Sequence, residues 1–506
     1  MIGSEIPALL PITYILFAIL IPVIGLWKRE ITWHLALLGS GIATFFSAYG
    51  LLHLIQTGET IRYFFGGWQP PIGIEFVYDG LAAFVVLVIN AVAFLVLIHA
   101  RQISKAEFPH KRMAYFTVSM LLMLGFNGMV LTGDLFNLYV FLEISSLSSY
   151  ALIAIGEKRA PYAAFRYLII GTVGGSLYLL GVGFLYTVTG TLNIIDMHEM
   201  LPQVIGHSSV IAALILMIVG VGVKAALFPL HGWLPDSYTY ASSTSSAIIA
   251  PIGTKVAAYI LFRVVLFLFG VELIDDQSSG YHHYWDFRRN RHSVWFYYGH
   301  CPERAQEDAG LQFSVSQIGY IIMGLSLANP FGFIGAVLHI LNHALMKGLL
   351  FLVSGSMRLK EGNSLITKFD DSYRQKYPWT MAAFTTAAIS MVGLPPLAGF
   401  FSKWYLALGT IENSSWILLA VILISSLLNA VYFFRILEKV YLRDPDASQA
   451  GEQAEALGAA TQNNEVGFSM MFPMAVMALA LFVVGIFNAY IVECHNHDVS
   501  RRILIK

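Results

Sequence analysis

The sequence predicts an all-α polytopic membrane protein, a bundle of transmembrane helices. Three observations carry this. Of 506 residues, 57% are hydrophobic and only 12% charged, whereas soluble domains carry roughly 25% charged residues. Mean hydropathy is +0.67. Apolar runs of about 20 residues, the length that crosses a hydrocarbon core of about 30 Å, recur along the chain, and backbone in lipid must satisfy its own hydrogen bonds, which selects helices. The same composition excludes other classes. A net charge of −1 holds no excess that would recruit nucleic acid, and no Gly-rich phosphate loop or Cys/His cluster points to a catalytic site or a cofactor. Two cysteines, Cys301 and Cys494, give no disulfide framework.

The runs lie at 6–27, 33–55, 76–99, 114–131, 135–154, 164–188, 209–229, 244–270, 331–356, 379–409, 415–441 and 469–493, with a shorter one at 314–328. That makes thirteen candidate spans. The first follows Glu5 rather than a basic stretch and exceeds a signal-peptide core in length, so it reads as an uncleaved span. Lys and Arg in short loops favour the cytoplasm. Lys28 and Arg29, then Arg101, Lys105, Lys111 and Arg112, then Lys158 and Arg159 fall in alternate loops, while 56–75 and 189–208 carry Arg62 as their only Lys or Arg. This predicts an N-terminus outside the cell membrane. Arg358, Lys360, Lys368, Arg374 and Lys376 ought then to be cytoplasmic too, yet thirteen spans would put them outside. One span is missing between 271 and 313.

That interval contains the one anomaly in the composition. GYHHYWDFRRNRHSVWFYYGHCPERAQEDAGLQF at 280–313 carries four Arg, four His, two Glu and two Asp and has no apolar helical periodicity. Back-translated with degenerate codons and read one base later, Ala305 to Phe313 gives two positions forced to Lys or Arg, followed by choices that include Met-Leu-Ala-Tyr-Ser. Trp295 to Cys301 permits Gly-Ser-Ile-Met-Ala-Ile-Ala. The shifted reading is an apolar helix, a short basic loop and the start of the next helix, which repairs the parity. The segment therefore reads as the product of two compensating frame changes, near 278–282 and near 313; a real polar insertion is the alternative.

Charge at the centre of a span costs roughly 2.5–3.5 kcal/mol on insertion scales, so ionisable residues there need a reason. The sequence has Glu143 in the fifth run, Lys224 in the seventh, Lys255 in the eighth, His339, His343 and Lys347 at 331–356, and Lys403 at 379–409. The plain alternatives are snorkelling to a headgroup for a lysine, a structural ion pair for Glu143, and a packing role for the two histidines. Two spans are also interrupted, by Pro229 in GVGVKAALFPLHGWLP and by Pro395 and Pro396 in MVGLPPLAGFFSKWYL. Proline removes a helix hydrogen bond, and broken helices in corresponding positions of two halves point to inverted repeats around an ion path. Spans four to eight and nine to thirteen then form two five-helix units, each with its fourth helix broken, once the missing span is restored. Desolvation opposes the charged form of a lysine and a nearby carboxylate restores it, so a row of such groups can act as a proton relay. No cage of carboxylates stands out for a metal cation.

GDLFNLYVFLEISSLSSYALIA, GVGVKAALFPLHGWLPDSY, GTKVAAYILFR, SVSQIGYI and GLPPLAGFFSKW, in this order over nearly the whole chain, resemble the antiporter-like membrane subunits shared by Mrp-type multisubunit cation/proton antiporters and respiratory complex I. Within that group the chain is most similar to the D subunit of an Mrp antiporter; its length, with no long C-terminal extension, also fits D better than the larger A subunit. The resemblance implies a 14-helix antiporter-like fold with two inverted five-helix repeats (helices 4–8 and 9–13), broken helices 7 and 12, and helix 9 lost from the sequence as written. By motif it implies that Glu143 pairs with Lys224 as a modulating carboxylate, that Lys255 is the central relay lysine, and that Lys403 is the terminal group in the second broken helix. His343 and Lys347 in LNHALMKGLLF match polar positions between them, and His339 joins them as a candidate. Where relatives often carry His after Ser-Val-Ser, this chain has Gln317. At 280–313 the family has a helix ending in a motif like Ala-Gln-x-x-Leu-Lys-Arg-x-Leu-Ala-Tyr-Ser-Ser, which the shifted reading spells.

The expected organisation is a three-helix segment at 1–113, a first repeat at 114–270, the frame-shifted segment at 271–313, the rest of the second repeat at 314–441, a cytoplasmic loop at 442–468 too poor in large apolar residues to pack a core, and a C-terminal helix and tail at 469–506. The expected function is that of an ion-transporting subunit rather than an enzyme: part of a monovalent cation (Na+)/proton antiporter, with other membrane subunits as partners and no cofactor. The alternative is a proton-pumping subunit of complex I (NADH-quinone oxidoreductase) or a related membrane-bound hydrogenase. A passive scaffold would have no use for midspan charges. Neighbouring genes separate the first two, since quinone-site or iron–sulfur subunits favour the second. Sequencing the gene across codons 270 to 320 is expected to show two compensating frame changes, and the peptide AQEDAGLQFSVSQ from the mature protein, encoded by an intact single frame, would sink the idea.

Overall fold

The computed structural model describes residues 2–270, 312–362, 371–442 and 465–492. Most of the anomalous 280–313 segment, most of the 442–468 connection and the tail from 493 lie outside the described residues. Eleven described helices are long and apolar enough to cross a membrane. In chain order the elements are α1 (Ile2–Gly25), α2 (Ile31–Thr57), β1 (Ile61–Phe64), β2 (Glu75–Tyr78), α3 (Gly80–Glu107), α4 (Arg112–Leu131), α5 (Leu135–Ala154), α6 (Ala160–Thr189), α7 (Ile194–Val204), α8 (Ser208–Ala225), α9 (Leu234–Tyr240) and α10 (Ser243–Phe262). Then follow α11 (Gln312–Leu327), α12 (Pro330–Glu361), α13 (Asp371–Lys376), α14 (Pro378–Val392), α15 (Ala398–Glu412), α16 (Trp416–Leu442) and α17 (Phe468–Ile486).

One departure from the all-helical expectation is a small antiparallel hairpin. β1 pairs with β2 in the register Ile61↔Tyr78 to Phe64↔Glu75. The run expected to begin a helix at 76 is a strand up to Tyr78, because β-branched and aromatic residues favour a half-buried pleat and Asp79 sets the true helix start, its carboxylate accepting from the Ala82 amide at 2.9 Å. A second departure is α7, an amphipathic helix that buries Ile194, Met197 and Leu201 and starts at Asn193, whose side chain accepts from the Ile195 amide.

The two proline-marked spans do break. α8 ends at Ala225, with Ala226 left-handed at φ 56°, and the indole of Trp233 donates to the freed Val223 carbonyl at 2.9 Å. α14 ends at Val392, with Gly393 at φ 88°, and the Lys403 ammonium donates to the Met391 and Val392 carbonyls at 3.0 Å each. At the second break Pro395 and Pro396 withhold the donors that Met391 and Val392 would have had, and Lys403 takes their place; at the first, Trp233 adds to the Ala226 amide on the Val223 carbonyl.

α12 is buried almost all round, whereas α16 buries one narrow stripe and leaves Leu423, Ile424, Leu427 and Phe434 exposed. α12 packs against α3, α10, α11, α14, α15 and α17, so it is the spine of the second half. In the first half a polar knot joins α1 to α4. Asn90 and Asn127 exchange amide bonds at 2.9 Å, Asn90 also donates to the Ser47 hydroxyl, and Tyr14 donates to the Asn90 carbonyl oxygen. Each member is buried and paired, which makes the knot a device for register rather than a cost.

α6 and α8 approach through small residues, as helices in lipid do when dispersion and close contact must replace a hydrophobic driving force. A Cβ on Gly220 would stand 2.6 Å from the Gly174 carbonyl oxygen, while one on Gly183 would meet nothing within 4 Å. Overpacking costs about 1–3 kcal/mol. Gly220→Val is therefore expected to lower the thermal midpoint of the detergent-solubilised protein and its abundance in membranes, with Gly183→Ala unchanged in both.

Candidate functional site

Apart from the half-buried Glu143, the ionisable residues singled out in the spans are buried inside the bundle, and together they fall along one band. On α5, Glu143, Ser146 and Tyr150 are spaced three and seven residues apart, which puts them on one helical face. The Lys224 ammonium, in the last turn of α8, donates to the Ser146 hydroxyl at 2.6 Å and the Tyr150 hydroxyl at 3.0 Å. It lies 5.4 Å from the centre of the Tyr150 ring and 5.5 Å from that of Tyr167, a favourable cation–π distance. The expected contact pair with Glu143 is not formed here. The half-buried Glu143 carboxylate rests against Gly175 of α6 and acts on Lys224 through space, because the serine and tyrosine between them on the same face occupy the ammonium.

Lys255 is fully buried in α10, where its ammonium donates to the Ala250 carbonyl at 3.1 Å. Pro251, inside the same helix, has no amide to donate to the Ala247 carbonyl one turn earlier. Lys347 and His343, one turn apart on α12, are equally buried, and neither the ammonium nor either imidazole nitrogen has a hydrogen-bond partner among the described protein groups. The Lys347 ammonium instead sits 4.6 Å from the centre of the Tyr238 ring. Lys255, His343 and Lys347 act on one another electrostatically, so a positive charge on one opposes a second on its neighbours. Glu75, the one fully buried carboxylate among the described residues, belongs to the hairpin, where it accepts from Asn193.

The band continues along α12. The His339 and His343 rings are 5.9 Å apart and nearly parallel. His339 is bonded through Nδ1 to the Ser402 hydroxyl at 2.9 Å and through Nε2 to Gln317 Oε1 at 3.0 Å. Tyr320 packs its ring 5.4 Å from His339 and lies 5.0 Å below the Lys403 ammonium. Lys403 ends the band, donating to Ser426 on α16 at 3.2 Å as well as to the two carbonyls of the break. Pro229 lies in the link that follows α8, and Pro395 and Pro396 in the link between α14 and α15.

A cavity of about 30 Å3, lined by Ser146, Lys224, Tyr167, Tyr238, Gly253 and Thr254 among others, separates Lys224 from the Lys255 turn. That is room for about one or two waters, within walls that are mostly apolar but carry the Lys224 ammonium and the serine, threonine and tyrosine side chains. Sequence reasoning missed the hydroxyl and aromatic partners: Ser146, Tyr150, Tyr167, Tyr238, Tyr320 and Ser402. For Ser146 and Tyr150 the helical spacing from Glu143 was a usable signal; the others come from distant segments. Gln317, which stands where relatives often carry His, is a hydrogen-bonding partner of His339. Among the described residues no three His, Cys, Asp or Glu side chains converge as a metal site.

The family described as NADH:quinone oxidoreductase/Mrp antiporter, TM matches residues 132–278 and 313–429, leaving out the stretch between them that holds the anomalous segment. The chain is 41% identical over 466 residues to "NADH-quinone oxidoreductase subunit N" of Desulforudis audaxviator (strain MP104C), covering 91% of this chain and 90% of that one. It is 30% identical over 445 residues to the Na(+)/H(+) antiporter D subunit of Alkalihalophilus pseudofirmus, covering 87% and 85%. In fold it matches a chain of the Mrp complex from Dietzia sp. DQ12-45-1b, with a TM-score of 0.85 at 22% identity over 99% of this chain and 97% of that one. An apolar helical bundle of this shape, carrying these motifs in this order, belongs to the antiporter-like membrane subunit family shared by Mrp antiporters and respiratory complex I.

Proposed function

We propose that the chain is a membrane subunit of a multisubunit monovalent cation (Na+)/proton antiporter and that protons move along the interior band from Glu143 and Lys224, past Lys255, Lys347, His343 and His339, to Lys403. The observation that carries this reading is the continuity of the band: buried basic groups, each near the next, joined by hydroxyls and a water-sized cavity. Isolated buried cations would be costly without function. A row of them can pass a proton, because each site is held at a charge its neighbour can tip.

In this reading the spans α4, α5, α6, α8 and α10 form one five-helix unit, and a restored ninth helix with α11, α12, the broken span α14–α15 and α16 forms the other, with the two breaks in corresponding positions. An N-terminus outside the cell membrane follows from the alternation of Lys and Arg. Glu143 is half-buried at midspan against Gly175 of α6, a helix on which Thr172 and Ser176 are exposed. A carboxylate facing lipid there would be expensive, so this face of α5 and α6 is where another membrane subunit seats. A specific observation favours a second reading, a proton-pumping subunit of a quinone-reducing complex: the relative at 41% identity carries that name. The subunits that co-purify with the chain separate the two readings.

In everted vesicles carrying the assembled complex, Lys224→Ala and Glu143→Ala are each expected to lower proton movement at least about tenfold, which about 1.4 kcal/mol of added barrier produces. Full activity in both would remove the relay. Lys403→Ala is expected to stop net transport at unchanged assembly, read by dye response and by immunoblot of the same vesicles. Sodium-dependent proton movement favours the antiporter, and movement driven only by electron donors favours the second reading.

A further inference from the structure

Four aromatic side chains form an unbroken stack between two of the lysines. Tyr150 and Tyr167 meet edge to face with centroids 4.7 Å apart, Tyr167 lies flat on Trp233 at 3.7 Å and 5°, and Trp233 meets Tyr238 at 6.4 Å. Lys224 sits over the rings at one end, and Lys347 over the Tyr238 ring at the other. Tyr238 differs from its neighbours. It is 4% exposed, it lines the same cavity as Lys224, and its hydroxyl is buried with no hydrogen-bond partner among the protein groups. A buried hydroxyl without a partner is a cost that phenylalanine would not carry in the same packing. The Lys347 ammonium at its ring is likewise without a partner.

We infer that the Tyr238 hydroxyl is itself a relay group that links the Lys224 cavity directly to Lys347 on α12, so that the two halves of the bundle communicate through α9 as well as through Lys255. The inference rests on the proton-translocation reading above. The step is balanced: a proton arrives at a lone pair of the phenol oxygen from the cavity side, the hydroxyl proton leaves to a neutral Lys347 amine, and rotation of the hydroxyl returns the phenol to its starting state. A phenol suits the place because it both accepts and donates, and a rotation of the flexible lysine stem takes the amine from the ring face to the hydroxyl. The position of Tyr238 makes the link conditional on the first broken helix. α9 follows the break directly, and Trp233, which caps the Val223 carbonyl of α8, also supports the Tyr238 ring. A change in the α8 break would move the phenol relative to both lysines.

Tyr238→Phe keeps the ring, the stack and the Lys347 contact and removes only the hydroxyl. In everted vesicles with the full complex, this variant is expected at normal abundance with proton movement lowered about tenfold or more, and wild-type transport would overturn the inference. Should the variant assemble poorly, trifluorotyrosine incorporated at 238 preserves shape and makes the phenol more acidic. The alkaline limb of the transport–pH profile is then expected to move to lower pH, a shift that a purely packing role would not cause; an unchanged profile counts against the relay. Lys224→Ala and Lys347→Ala, measured alongside, separate the two levels. If both are inactive and Tyr238→Phe is fully active, this inference alone falls; if both lysine variants are fully active, the proton-translocation reading falls with it.

Discussion

Holding ammonium groups deep inside a hydrocarbon layer is the constraint on which the rest of this structure depends. Lipid offers such a group nothing to bond, so every midspan lysine has to be wrapped in protein that supplies oxygen atoms or aromatic faces. Lys224 takes two hydroxyls and two rings, Lys255 takes a carbonyl of its own helix, Lys347 takes a ring, and Lys403 takes two carbonyls and a hydroxyl. Much of the local architecture follows. One helix is interrupted, which frees the acceptors that Lys403 uses, while Lys255 uses the second lone pair of a carbonyl inside its own helix. The spine α12 has to be buried all round because it presents Lys347, His343 and His339 at successive turns.

The two breaks use the same physics in opposite directions. At the first, a neutral indole caps the carbonyl end of α8 and the lysine stays free to bond α5. At the second, the lysine is itself the cap. A group whose position is fixed by carbonyls at a helix end is coupled to the geometry of that end, so any motion that closes or opens the α14–α15 break acts on Lys403 before it acts on anything else. The serine at Ser426 then links that ammonium to α16, the helix with the widest apolar exterior. Under the proposed relay, proton movement and helix distortion would be joined at these same atoms.

The periphery carries a second kind of information. The hairpin is held against the bundle by Glu75, bonded to Asn193 and within 3.8 Å of Arg62, while Asp79 pairs with Arg263 at 2.6 Å. These pairs tie the ends of α3, α7 and α10 together on one face of the protein. Glu143 is different. It alone among the singled-out ionisable residues keeps part of its surface outward, in the middle of a span. Its electrostatic surroundings are incomplete in an isolated chain, which fits a family of subunits that work within larger assemblies.

The sequence by itself determined the helical membrane class, the thirteen apolar runs, the identities of the buried ionisable residues and the two interruptions. Each of these is a one-dimensional property: hydrophobic run length against bilayer thickness, the cost of charge in lipid, and the missing amide of proline. It also marked 280–313 as out of character, through charge and loop parity alone. What only the tertiary structure decided is which groups meet. That Ser146 and Tyr150 hold Lys224 in place of Glu143, that Gln317 pairs with His339, and that Tyr238 stands between Lys224 and Lys347 are facts of helix rotation and crossing. The β2 strand was hidden for a related reason, since a short apolar run beside a helix has no period of its own and only its partner β1 reveals it. Run lengths are written in composition, but contacts between residues some 20 to 100 positions apart depend on packing that no local pattern encodes.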